Sequence, residues 1–79
     1  MQISDIIWLR QFVEKLETKH GVSQWEVEEI LYDRTPVRRI GRGQVEGEDV
    51  YEALGQTTDG RYLVVFFIAK GDHALVISA

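Results

Sequence analysis

Apolar and polar residues follow two different rhythms along this chain, and the change falls near Pro36. Before it, Ile6, Leu9, Phe12, Val13 and Leu16 recur at helical spacing and form one stripe, with Arg10, Glu14 and Glu17 away from it. The stripe predicts a first helix that begins near Ser4 as N-cap, with Asp5 set against the positive end of the dipole. Lys19 and His20 fall in its last turn, where cations suit the negative end, and Gly21 is the natural residue just past the stop. Ser23-Gln24-Trp25-Glu26 then reads as a capping box, with Val22 and Val27 placed to pack as a hydrophobic staple. Ile30 and Leu31 continue the apolar face of this second helix. It should fade at Tyr32-Asp33, because Pro36 disfavours helical geometry at Thr35.

Beyond Pro36 the period shortens to that of strands. Residues 37–40 form a short strand bounded by the Gly41-Arg42-Gly43 turn, and residues 48–54 alternate, with Tyr51 and Ala53 on one side and Val50, Glu52 and Leu54 on the other. Thr58-Asp59-Gly60 is a hairpin signal. Residues 61–69 follow as an unbroken β-rich run, Lys70-Gly71-Asp72 turns the chain, and residues 73–79 make the last strand. The expectation is an α+β domain spanning 1–79, with an N-terminal helix pair packed on a twisted antiparallel sheet of three to four strands. The last two strands are apolar on both parities, and a strand of that kind is usually covered on both faces. Two helices cover one face. The other needs either a C-terminal segment beyond Ala79 or a second chain, as a homodimer or heterodimer through the uncovered face.

Composition narrows the class. The chain has 79 residues, 44% hydrophobic and 28% charged, which fits one globular domain with a thin core. It contains no cysteine, so disulfides, thiolate metal sites and cysteine nucleophiles are all excluded. The N-terminus lacks a basic segment before its apolar residues, and the longest apolar run, 62–69, is far too short to span a bilayer. A cytoplasmic protein with no membrane partner is expected. Net charge is −4, against a general nucleic-acid-coating role, yet residues 34–43 carry Arg34, Arg38, Arg39 and Arg42 with no acid. One basic segment sits in an otherwise acidic chain.

Lys19-His20-Gly21-Val22-Ser23 followed by Glu26, an apolar helix and Asp33 resembles the KHG-[IVL]-[ST]…E segment of the BrnT family of ribonuclease toxins. Gly47-Glu48, Ala53-Leu54-Gly55, the Gly60–Val65 run and Ile77-Ser78-Ala79 resemble that family's GE…ALG…GR-x-L-x-V…ISA sequence in the same order. The resemblance implies a RelE-like fold and a toxin of a bacterial type II toxin–antitoxin pair. Such a toxin cleaves RNA without metal or cofactor and is neutralised by a BrnA-type antitoxin. The chain departs from the family at Val50 and Leu75, where basic residues are usual. Its match stops at Ala79, where the family continues as ISAR into a basic C-terminal helix. The alternative is therefore a catalytically silent BrnT-like module that dimerises or binds a partner through its sheet face.

Metal-independent RNA cleavage needs a base for the 2′-hydroxyl, an acid for the leaving oxygen, and cations for the phosphate. His20, inside the matched motif, is the candidate acid or base, beside the bland reading of a residue favoured by the helix dipole. Arg61 of the Gly-Arg pair is its catalytic companion, or else a turn-flanking ion-pair partner. Lys19, Arg38, Arg39 and Arg42 are the candidate RNA-binding set, whose plainer reading is a solvated edge that deters strand pairing. Glu48 and His73 read mainly as solvated residues. Trp8 reads as core, whereas Trp25 stands between core packing and base stacking. No metal-ligand spacing is present, and Gly41-Arg42-Gly43 lacks the helix and lysine of a phosphate loop.

Overall fold

The structure is a computed structural model that describes residues 2–33, 35–42 and 48–79. Arg34, Gly43 and Gly47, invoked above, lie outside the described residues. The chain folds as α+β, with strand β1 (Asp5–Ile7), helix α1 (Arg10–Lys15) continuing into a π-helical turn (Leu16–His20), and helix α2 (Gln24–Tyr32). Strands β2 (Val37–Gly41), β3 (Val50–Gln56), β4 (Tyr62–Lys70) and β5 (His73–Ser78) follow. The sheet has five strands in the order β1-β5-β4-β3-β2, all antiparallel except the parallel β1–β5 pair. The expected antiparallel sheet of three to four strands is thus a mixed sheet of five.

The added strand corrects the start of the first helix. Asp5, Ile6 and Ile7 lie in register with His73, Ala74 and Leu75, so Ser4 precedes a strand and caps no helix. Ser4 instead donates from its N–H to the Asp72 carbonyl at 2.9 Å and from its hydroxyl to the Asp72 carboxylate at 2.5 Å. Pairing with β5 satisfies backbone groups of an otherwise open edge, and that outweighs the helical spacing of Ile6 with Leu9. The helix begins at Arg10, with Leu9 as its N-cap.

Other local expectations hold. Gly21 closes the first helix at φ 62°, in the left-handed region where glycine costs least. The Glu26 carboxylate reaches back to the Ser23 N–H at 3.1 Å in the capping box. Val22 and Val27 are both buried. Gly60, at φ 89°, turns β3 into β4.

One face of the sheet carries the core. Ala53, Leu63, Val65, Phe67, Ala74 and Val76 point toward Leu16, Val22, Val27, Ile30 and Leu31 of the helical layer, and all are buried. The rings of Tyr51 and Phe67 stack on this side with centroids 5.7 Å apart. Helix α2 lies close over β3 at Gly55, where an added Cβ would sit 2.8 Å from Cγ2 of Ile30. Alternation along each strand sends the remaining residues to the opposite face. Ile7, Leu75, Val64, Phe66, Ile68, Val50 and Leu54 lie there, and no helix among the described residues packs over them.

Candidate functional site

The π-helical turn is the least regular part of the helical layer, and it carries the matched Lys19-His20 pair. Such turns are rare and occur often at functional sites. Its last carbonyls have no partner within the helix, and a cation from elsewhere in the chain supplies one. Arg61, the residue after the β3–β4 turn, donates from Nη2 to the His20 carbonyl at 3.0 Å and from Nη1 to the Gly21 carbonyl at 2.7 Å. The same guanidinium lies 3.4 Å from the Glu26 carboxylate.

Each end of this bridge is fixed. Arg61 is held at its backbone by Thr57, whose hydroxyl accepts the Arg61 N–H at 3.1 Å and whose own N–H donates to the Arg61 carbonyl at 2.8 Å. Thr57 is buried. Glu26 is buried too, and its carboxyl is held below the usual glutamate range. The Ser23 backbone N–H is the main cause, aided by the Ser23 hydroxyl and Arg61, with desolvation opposing them. Beside it the Glu29 carboxylate accepts from the N–H and hydroxyl of Thr58, a second tie between α2 and the same turn.

His20 and Arg61 are therefore neighbours in space although 41 positions apart in sequence, and Lys19 precedes His20 on the same turn. Lys19 and His20 are exposed. Arg61 takes the plainer of its two roles as well, because its donors already hold two carbonyls and a carboxylate.

The basic segment is not gathered into this cluster. Arg38 and Arg39 are successive residues of β2 and so project to opposite faces. Arg38 pairs with Glu52 on the face away from the helices, Nη2 to Oε1 2.6 Å, and Arg39 pairs with Asp49 at 2.9 Å. Arg42, exposed, follows β2 beside the start of β3, whereas Arg61 follows its end. Seven residues of β3 separate those two levels by about 20 Å. Of the arginines in this run, the three among the described residues become two ion pairs on two faces and one distant exposed cation.

Glu48 pairs with Lys70 at 2.6 Å, and His73 lies 3.6 Å from Asp72 at the β4–β5 turn. Trp8 is half-buried against the core and donates from Nε1 to Glu28 at 3.2 Å, whereas Trp25 is 54% exposed. Sequence reading missed Thr57, Glu29 and the second role of Glu26. Glu26 was legible only as a cap, since its partner Arg61 comes from another layer. Among the described residues no group of three or more His, Cys, Asp or Glu is placed to hold a metal ion, and no helix is long and apolar enough to cross a membrane.

On the open sheet face, Leu54 and Tyr62 are 56% and 79% exposed. A shallow groove of about 300 Å³ runs between them, lined also by Gly55, Gln56, Leu63 and Val64. Compared with protein families, curated proteins and solved structures, the chain matches none.

Proposed function

We propose that the chain is a metal-independent RNA-cleaving toxin of a bacterial type II pair, built on a RelE-like fold and acting in the cytoplasm, with a BrnA-type antitoxin as its neutralising partner. The observation that carries this reading is the convergence of His20, Lys19 and Arg61. An exposed acid or base and an exposed cation adjoin on one π-helical turn, and Arg61, 41 positions further along the chain, binds the His20 carbonyl at the end of that turn. In this reaction the 2′-oxygen of the RNA attacks the adjacent phosphorus as its proton leaves. The bond to the 5′-oxygen breaks, and that oxygen takes up a proton. His20 moves the proton in one of these transfers, and Lys19 and Arg61 supply positive charge for the phosphate.

The test is purified protein incubated with single-stranded RNA in the presence of a chelator, together with growth on induced expression. Cleavage and growth arrest are expected, both abolished by His20→Ala. General acid–base help contributes about 100-fold or more to such a step, so the rate should drop by at least that factor. Intact RNA at high protein concentration, with normal growth, overturns the reading.

A second reading is favoured by a specific observation. Arg38 and Arg39 are engaged by Glu52 and Asp49, and an apolar sheet face lies open. Those features suit a silent relative whose role is to dock another protein on that face. The two readings separate on nuclease activity alone.

A further inference from the structure

Trp25 is a large side chain for which the fold itself has no use. Helix α2 buries Glu26, Val27, Ile30 and Leu31. At about 100° per residue, Trp25 lies on the opposite side of the helix, exposed and packed on no part of the core. Its surroundings on that surface are polar. Gln24 precedes it, and its neighbours three and four positions along the helix are Glu28 and Glu29. Both carboxylates already hold donors, Glu28 the Trp8 indole and Glu29 Thr58. A residue that anchors a protein partner stands at the centre of an apolar patch, whereas this ring stands alone. The ring is also close to the candidate site. One guanidinium, that of Arg61, touches the His20 carbonyl and the Glu26 carboxylate. The end of the π-helical turn and the first turn of α2 therefore lie within the span of that group and its two contacts. Trp25 adjoins Glu26 on the one side, and Lys19 and His20 are exposed on the other.

We propose that Trp25 is a stacking platform for one base of the RNA strand whose phosphates meet Lys19 and His20. The proposal rests on RNA being the substrate, and it names a group that grips the strand. An aromatic ring holds any base by its π-face, so the platform selects unpaired strands over duplex without choosing a sequence. It supplies an attraction that Arg38 and Arg39, held by Glu52 and Asp49, do not.

Binding of a short single-stranded RNA to the His20→Ala protein, which leaves the strand intact, reads the platform apart from cleavage. Trp25→Ala in that background should weaken binding by about 5- to 150-fold, the range for one stacked base, and Trp25→Phe should keep part of the affinity. Stacking releases no counterions, so the loss should be the same at low and moderate salt. A strand made abasic throughout keeps every phosphate and should bind with or without the indole alike. Quenching of indole emission by RNA should survive Trp8→Phe and vanish in Trp25→Phe, a conservative change that remains informative if Trp25→Ala fails to fold. Tyr62→Ala is the control: its ring is 79% exposed but lies on the sheet face away from the helices, and affinity should not change. If wild type cleaves RNA and Trp25→Ala binds it unchanged, the platform is wrong and the nuclease reading stands. Binding that depends on Trp25, without cleavage by wild type, keeps the platform and removes the nuclease. A protein that binds no RNA removes both. Should Trp25→Ala lower affinity for a BrnA-type antitoxin and leave RNA binding unchanged, the ring is an anchor for that partner and the proposal is overturned.

Discussion

Arg61 and Glu26 show how one residue takes a role that its neighbours in sequence do not reveal. The carbonyls of His20 and Gly21 end a helix and need donors, and a planar fork of N–H groups provides two at once. Arg61→Ala should cost about 1–2 kcal/mol in chemical denaturation, the range for two hydrogen bonds to a charged group at a half-exposed site. Arg61→Lys should recover only part of it, because an ammonium lacks the fork. Glu26 adds a pH dependence of definite sign. Its carboxyl titrates lower in the fold than the ordinary value of 4.5, so its contribution is complete above that value and lost as pH falls through the lower folded value. Wild type should therefore lose stability below about pH 4.5 more steeply than Glu26→Gln. Equal acid slopes for the two proteins would mean that Glu26 is not held by this network.

At the scale of elements, what was legible in the sequence followed from contacts between near neighbours. The capping box at Ser23, the stop at Gly21 and the hairpin at Gly60 each depend on residues within a few positions, and each is found where expected. The parity of β3 was also readable, with Tyr51 and Ala53 turned to the core. β1 was not readable, because a three-residue parallel strand exists only through a partner 68 positions away. Ile6 fits a helical stripe and a strand face equally well, and only the sheet edge decides between them. The close packing of α2 on β3 was equally hidden, since it needs the approach of Ile30 to Gly55. Gly55→Ala follows from that approach. The added methyl meets a buried side chain with no room to retreat, so overpacking should cost about 1–3 kcal/mol in thermal or chemical unfolding. A neutral outcome would show that the helix shifts freely on the sheet.

Over the whole molecule, the charge pattern of the sequence and that of the fold point in different directions. The arginine run in 34–43 reads as one basic patch, whereas folding places Arg38 against Glu52, Arg39 against Asp49, and Arg42 at the end of the sheet away from Arg61. The candidate RNA-binding set was thus legible in composition but not in geometry, because strand alternation divides adjacent residues between two faces. This arrangement has a measurable consequence for any RNA the protein binds. Cations held in ion pairs displace few counterions, so the affinity should depend only weakly on salt. Glu52→Gln with Asp49→Asn frees both guanidinium groups and leaves the backbone of β3 unchanged. Affinity for single-stranded RNA should then rise, and the slope of log K against log salt should steepen by about 1.4, the value for two further phosphate contacts on a single strand. Binding isotherms between low and moderate salt read that slope directly. An unchanged slope would mean that Arg38 and Arg39 face no phosphate even when released. The candidate RNA-binding cations left would then be the exposed Lys19 and Arg42.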